Sequence, residues 1–190
     1  MSTDPAFFER LYDKDPDPWG FETSTYEAEK YALCLGLLGD RRFARGLEVG
    51  CSIGVLSEQI ARRCDLFLGL DAAPAAIARA RLRNQGAAQA EFRVAILPDA
   101  WPRGAWDLIV LSEVLYFFDA HDIARLAALT ARTLAPGGAI LIASYLGDTR
   151  TELDGPESEA TFLRALGAIR VVSVMDRIAR PRFRALTLRG

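Results

Sequence analysis

Hydrophobic positions along the chain fall into two rhythms that take turns. Nearly continuous apolar runs lie near 45–50, 65–70, 90–95, 106–112 and 138–145. Unbroken runs of this length predict strands buried on both faces. Between and after them, residues 53–63, 73–84, 121–134 and 157–166 place apolar side chains at helical spacing. An earlier helix is predicted over 25–38 from Tyr26, Tyr31, Leu35 and Leu38, with Thr25 as N-cap and Gly39 as stop. Pro74 suits the first turn of its helix, and Pro136-Gly137-Gly138 ends the helix before it. The alternation predicts an α/β fold: a mainly parallel sheet with helices on both faces. Its end breaks the rhythm. Two strand-like runs, 169–175 and 183–188, are joined by a proline-containing turn with no helix between them, so they must pair antiparallel. The first 24 residues carry three Asp-Pro steps (Asp4-Pro5, Asp15-Pro16, Asp17-Pro18) and predict turns and extended chain.

One strand-to-helix junction carries candidate chemistry. The run Gly46-Leu47-Glu48-Val49 ends in Gly50, with Cys51, Ser52 and Ile53 leading to Gly54. The next apolar run ends in Asp71, 21 residues beyond Gly50. A small-residue turn admits a ligand close to the backbone, and an acid at the tip of the neighbouring strand can accept from both hydroxyls of a ribose. The pair predicts a nucleoside-cofactor site.

Composition narrows the setting. The 190 residues are 51% hydrophobic and 25% charged, which suits one domain. Within it, residues 1–40 would form an N-terminal arm and first helix, and 41–190 the cofactor-binding core. A net charge of -2 gives no general pull toward nucleic acid or anionic membrane. Charge is uneven, though. Residues 1–29 hold eight acids against Arg10 and Lys14, whereas 170–190 hold six arginines against Asp176 alone. Those arginines alternate with apolar residues, as on a solvated sheet face. Cys34, Cys51 and Cys64 lack metal-ligand spacing and predict buried thiols in a reducing compartment, with no metal site. The chain shows neither a basic-then-apolar leader nor a membrane-length apolar run, so a cytoplasmic location is expected, with no membrane partner. Oligomeric state is not legible.

The ordered blocks Asp17-Pro18-Trp19, Tyr26-Glu27-Ala28-Glu29-Lys30-Tyr31, Leu47-Glu48-Val49-Gly50-Cys51-Ser52-Ile53-Gly54, Gly69-Leu70-Asp71, Asp107 through Tyr116, and Leu134-Ala135-Pro136-Gly137-Gly138 resemble the class I S-adenosylmethionine (SAM) methyltransferases. Within them the chain most resembles the nodulation protein S branch, N-methyltransferases of deacetylated chitin oligosaccharides. The resemblance implies a Rossmann-like seven-stranded sheet, SAM as cofactor, S-adenosyl-L-homocysteine as product, and a small-molecule acceptor. Ser52 departs from the family loop, where glycine is usual. The segment 146–158 is short and polar, so acceptor identity does not transfer.

The resemblance also implies roles. Glu48 would lie beneath the methionine portion, with Gly50, Cys51, Ser52 and Gly54 letting the backbone approach the cofactor. Asp71 would hold the ribose, or cap the helix begun by Pro74, and Ala72 would line the adenine edge. Ala95 or Ile96 would offer backbone contacts to adenine, there being no acid before Asp99. Ser112, Glu113 and Tyr116 fall where the catalytic loop belongs. Glu113 would take a proton from an amine or bind its ammonium, or else bridge the loop backbone. His121, the single histidine, is a candidate base on titration grounds, or a solvent contact at a helix start. Trp19, Tyr26 and Lys30 belong to an arm that would fold over the cofactor as a lid, Lys30 reaching its carboxylate or lying on the surface.

Three alternatives remain open at this level. One is transfer to oxygen rather than nitrogen. A second is an NAD-dependent oxidoreductase, disfavoured by the incomplete GxGxxG and the absence of a well-placed Tyr-x-x-x-Lys pair. The third is a SAM-binding subunit without catalysis. Nucleic-acid methylation lacks its Asn/Asp-Pro-Pro-Tyr/Phe block.

Overall fold

The computed structural model describes residues 2–190. Its elements run α1 (Pro5–Lys14), α2 (Thr25–Leu37), β1 (Phe43–Val49), α3 (Val55–Ala61), β2 (Cys64–Asp71), α4 (Pro74–Arg83), β3 (Ala90–Val94) and β4 (Trp106–Ser112). A 3-10 turn (Leu115–Phe117), α5 (Ala120–Thr133), β5 (Leu134–Tyr145), α6 (Gly155–Gly167), β6 (Ser173–Ala179) and β7 (Phe183–Arg189) complete the chain. The seven strands lie in the order β3-β2-β1-β4-β5-β7-β6. The first five are parallel, and β7 pairs antiparallel with both β5 and β6. This is the Rossmann-like sheet with the predicted C-terminal hairpin.

Strand alternation divides the core. Leu47, Val49, Ile109, Leu111, Ile140 and Ile142 face α5 and α6. Leu108, Val110, Leu141 and Ala143 face the opposite layer with Ile60, Ile77, Cys34 and Leu35. Cys34, Cys51 and Cys64 are buried free thiols. Burial pushes Cys34 and Cys64 up to about 12, so both stay protonated and unreactive. No helix among the described residues is long and apolar enough to cross a membrane.

Four local expectations change. Residues 5–14 form a helix rather than turns: Asp4 caps it, its side chain accepting from Ala6 N–H at 3.0 Å, and Pro5 occupies the first turn. An Asp-Pro step serves a helix start as readily as a turn, and Phe8 and Tyr12, four apart, give this one an apolar face. Ser24, not Thr25, caps α2. Ala73, not Asp71, is the N-cap residue of α4. Finally, β6 begins four residues later than expected. Residues 169 and 170 still wrap the end of α6, and the Arg170 guanidinium is anchored on the carbonyls of Ala131, Leu134 and Ala135. The C-terminal arginines therefore divide. Arg177, Arg180, Arg182 and Arg189 are exposed as expected, whereas Arg170 and Arg184 hold the fold together.

The sheet order reverses between β1 and β4. Loops leaving the carboxyl ends of these two strands diverge, and a crevice opens between them. The outer strand β6 carries exposed Val174 and Met175, and its register with β7 shifts between Val174 and Asp176.

Candidate functional site

The crevice is a cavity of about 780 Å³, roofed by α1, the 15–24 loop and the start of α2. That volume lies in the usual range for small-molecule sites. Of the residues expected at the site, Trp19, Tyr26, Lys30, Glu48, Gly50, Cys51, Ser52, Asp71, Ala72, Ala95, Ile96, Ser112, Glu113 and Tyr116 all line it. Gly54 and His121 do not.

At the β1 end, the loop is held by backbone hydrogen bonds. The N–H groups of Gly50 and Cys51 both donate to the Leu70 carbonyl, at 2.8 and 2.9 Å. Ser52 adopts φ +50° and donates its N–H to Asp71 Oδ2 at 2.9 Å. Asp71 Oδ1 accepts from Ala73 N–H at 2.9 Å. Burial raises the Asp71 carboxyl above its ordinary value, and these backbone donors oppose the rise. Each oxygen keeps a further lone pair for a ligand, a donor set that fits a diol.

The glycines also make room for neighbouring protein. Gly50 (φ +72°) has Val114 where a Cβ would stand, 2.5 Å away. Gly54 (φ +78°) has Ala80 and Asn84 of α4 there, at 3.0 and 2.8 Å. Both admit neighbouring protein in a left-handed backbone, and Gly50 also lines the cavity. Glu48 lies behind the loop at 2% exposure, accepting from Ser57 Oγ at 2.5 Å. Desolvation pushes its carboxyl up to about 8.

On the adenine side expected from the sequence, the Ala95 N–H is already bonded to the Asp71 carbonyl, and the Ile96 carbonyl accepts from Ala100. Asp99 reaches the cavity but is paired with Arg125 at 2.5 Å.

The opposite end is built from side chains. Glu113 follows β4 at φ +51°, its N–H donating to the Ala143 carbonyl. Tyr26 donates its phenol hydrogen to Glu113 Oε1 at 2.5 Å, and Lys30 Nζ lies 2.7 Å from Oε2. The same ammonium is 2.8 Å from Glu27. Lys30 is therefore not at the surface; at 1% exposure it lines the cavity, clasped between Glu27 and Glu113. Burial and the Glu113 charge raise the Tyr26 and Tyr116 phenols, which stay neutral. Tyr145 and Arg182 close this end, with the Arg182 guanidinium 4.2 Å above the Tyr26 ring.

The arm is seated on the site. Trp19 packs on Tyr12, Phe21 and Phe117, and Phe8 meets Phe117 edge-on at 4.9 Å. The Tyr12 hydroxyl hydrogen-bonds Ser52 Oγ directly. Glu22 pairs with Arg83, and Ser2 donates to Asp122 at 2.7 Å. His121 is 81% exposed, 3.5 Å from Asp122, and nothing brings it toward the cavity. Sequence reasoning missed Tyr12, Glu27, Tyr145 and Arg182. For Tyr12, the Phe8–Tyr12 spacing behind Asp4-Pro5 was the available signal. Arg182 had none, being one arginine among six.

The family model described as Nodulation protein S (NodS) matches residues 6–148. The chain belongs to the nodulation protein S family. Nodulation protein S of Rhizobium tropici is 33% identical over 130 residues, 67% of this chain and 55% of that protein. The Sinorhizobium fredii protein is 32% identical over 132 residues, 68% of this chain and 61% of its own length. The chain thus spans little more than half the length of these curated relatives. Among solved structures, N-methyltransferase NodS from Bradyrhizobium japonicum WM9, in complex with S-adenosyl-L-homocysteine, superposes with TM-score 0.82. It is 24% identical, with 97% of each chain covered. Its likeness shows that the NodS-family chain has the class I methyltransferase fold. The structure of a putative methyltransferase from Pseudomonas syringae superposes with TM-score 0.73 and 28% identity, over 88% of this chain and all of its own.

Proposed function

We propose that the chain is a SAM-dependent methyltransferase acting on the amine nitrogen of a small molecule, an amino sugar or a related metabolite. The carrying observation is that one cavity joins a backbone-built carboxylate at Asp71 to an acid–lysine–acid cluster at Glu113. The family's solved member in complex with S-adenosyl-L-homocysteine supports the cofactor. When bound, SAM supplies a methyl group on a sulfonium centre that departs as a neutral thioether.

The residues divide the work. Asp71 accepts from the ribose hydroxyls, and Ser52, fixed by Tyr12, keeps the loop in register beneath them. Glu48 underlies the methionine end, where an ammonium would draw its carboxyl back toward ionisation. Ala72, Ala95 and Ile96 border the base. Glu113 binds the acceptor ammonium and takes its proton, which leaves the nitrogen lone pair free to attack. Lys30 holds Glu113 in place, and Tyr26 and Tyr116 wall the amine. Phe8, Tyr12 and Trp19 exclude water. The 190 residues act as one catalytic unit in a reducing, cytoplasmic setting, on a free metabolite rather than on nucleic acid.

The test is direct. Purified protein with methyl-labelled SAM and a panel of amino sugars and other primary amines is expected to yield labelled N-methyl product. Label on hydroxyls alone would move the chemistry to oxygen. SAM binding without transfer to any acceptor would favour a non-catalytic subunit, and binding of NAD in place of SAM would overturn the cofactor.

A further inference from the structure

Charged groups at the acceptor end of the cavity are unevenly partnered, two carboxyl groups sharing one ammonium while a guanidinium stands without an ion pair among the described residues. Glu27 and Glu113 share one ammonium, that of Lys30, and burial raises the Glu27 carboxyl above its ordinary value. Across the Tyr26 ring stands the reverse case. Arg182 lines the cavity, and its side chain makes no ion pair or hydrogen bond among the described residues. Its neighbours at this end are already engaged. Arg180 pairs with Glu29 at 3.2 Å, Arg184 pairs with Glu159 at 2.9 Å, and the Asp148 carboxylate turns back to the Arg150 N–H at 2.9 Å.

Arg182 is nonetheless held. Its guanidinium lies 4.2 Å from the Tyr26 ring centre and 5.8 Å from that of Tyr145. Its own carbonyl accepts from Leu146 N–H at 2.8 Å, which ties the β6–β7 turn to the end of β5. Stacking satisfies the flat faces of a guanidinium and leaves its N–H fork pointing outward in plane. Tyr26 does not neutralise it, because its phenol keeps its proton beside Glu113. One tyrosine thus separates the carboxyl pair on Lys30 from a guanidinium that has no ion pair among the described residues.

We infer that the acceptor is zwitterionic: besides the amine that meets Glu113 it carries an oxyanion, a carboxylate or a phosphate, that docks on Arg182. This rests on the amine methyltransferase function proposed above and narrows its substrate class. A neutral amino sugar would leave the Arg182 fork unused, whereas an amino acid or an amino-sugar phosphate would engage both charges. Fork-to-oxyanion bonds are bidentate, so arginine at this place discriminates by geometry as well as charge.

The experiment measures binding of matched pairs to the protein saturated with S-adenosyl-L-homocysteine, by calorimetry. Glucosamine is set against glucosamine 6-phosphate for the phosphate source, and phenethylamine against phenylalanine for the carboxylate. The anionic member of at least one pair is expected to bind at least 10-fold more tightly, and which pair does so identifies the source. Arg182→Ala is expected to weaken that member by roughly 10- to 100-fold, the range for a hydrogen bond to a charged group, and to narrow the gap to the neutral partner. Arg182→Lys recovers only part, and Arg180→Ala, outside the cavity, leaves the preference intact. Equal binding within both pairs overturns the inference, as does an Arg182→Ala loss equal for both members of a pair. Failure to bind S-adenosyl-L-homocysteine at all would instead sink the proposed function.

Discussion

The two ends of the cavity are made by different means. The Asp71 end is backbone architecture: a strand, a turn and the amides of Ser52 and Ala73 fix one carboxylate. The Glu113 end is side-chain architecture, in which α2, the loop after β4 and the β6–β7 turn each contribute a charge. A backbone-built site tolerates sequence change around it because its donors are peptide groups. A side-chain cluster tolerates little, since removing one member strands the others in a place of low polarity. The difference suits a cofactor shared across a superfamily and an acceptor that changes from one member to the next.

Substitution can break each half separately. The largest effect is expected from Glu113→Gln, which keeps the shape but cannot take a proton; kcat should fall by about 10²- to 10⁴-fold with SAM affinity little changed. A kcat within a few-fold of wild type would return Glu113 to a loop-bridging role. Lys30→Met should cost stability rather than cofactor affinity. It leaves two carboxylates facing one another without their cation, and urea unfolding should show a loss of about 3–5 kcal/mol. Asp71→Ala should act the other way, weakening SAM by on the order of 100-fold in calorimetry, because two hydrogen bonds to a charged acceptor go together. Intact binding in that variant would remove the ribose assignment.

Smaller effects sharpen the contrast. Glu48 has a folded carboxyl pKa of about 8 against an ordinary 4.5, so between those values the folded chain holds a proton that the unfolded chain has lost. Its contribution to stability is present in full below about 4.5 and fades as pH rises toward 8, by up to about 1.4 kcal/mol per unit. Unfolding curves across that window should slope less for Glu48→Gln than for wild type. His121→Ala should do least. An 81% exposed ring outside the cavity predicts unchanged kcat and a stability change within about 0.5 kcal/mol.

Legibility in the sequence follows the same division. The alternating strands and helices, the hairpin, the glycine turn and the strand end at Asp71 were readable, because each rests on neighbours along the chain. The acid–lysine–acid cluster was not, since Tyr26 and Glu113 lie 87 residues apart and only the closed fold brings them together. Lys30 shows the limit well: its spacing from Tyr26 was visible, its burial was not. Gly50 and Gly54 were found for their flexibility, but only the folded chain brings Val114 and Ala80 into the space beside them. Where local rules misled, two local rules competed. Asp4-Pro5 satisfied both turn and helix-start grammar, and the apolar Ile169 and Val171 lie before the strand they seemed to begin, both exposed.

The register shift in β6 bears on what that sheet edge can pair with. An outermost strand with Val174 and Met175 uncovered presents unpaired peptide groups that another polypeptide would extend, and the irregularity between Val174 and Asp176 bends that row out of line. Deleting Met175 would straighten the border and give neighbouring copies a continuous rail to zip onto. Self-association would then be set by one residue of the outermost strand.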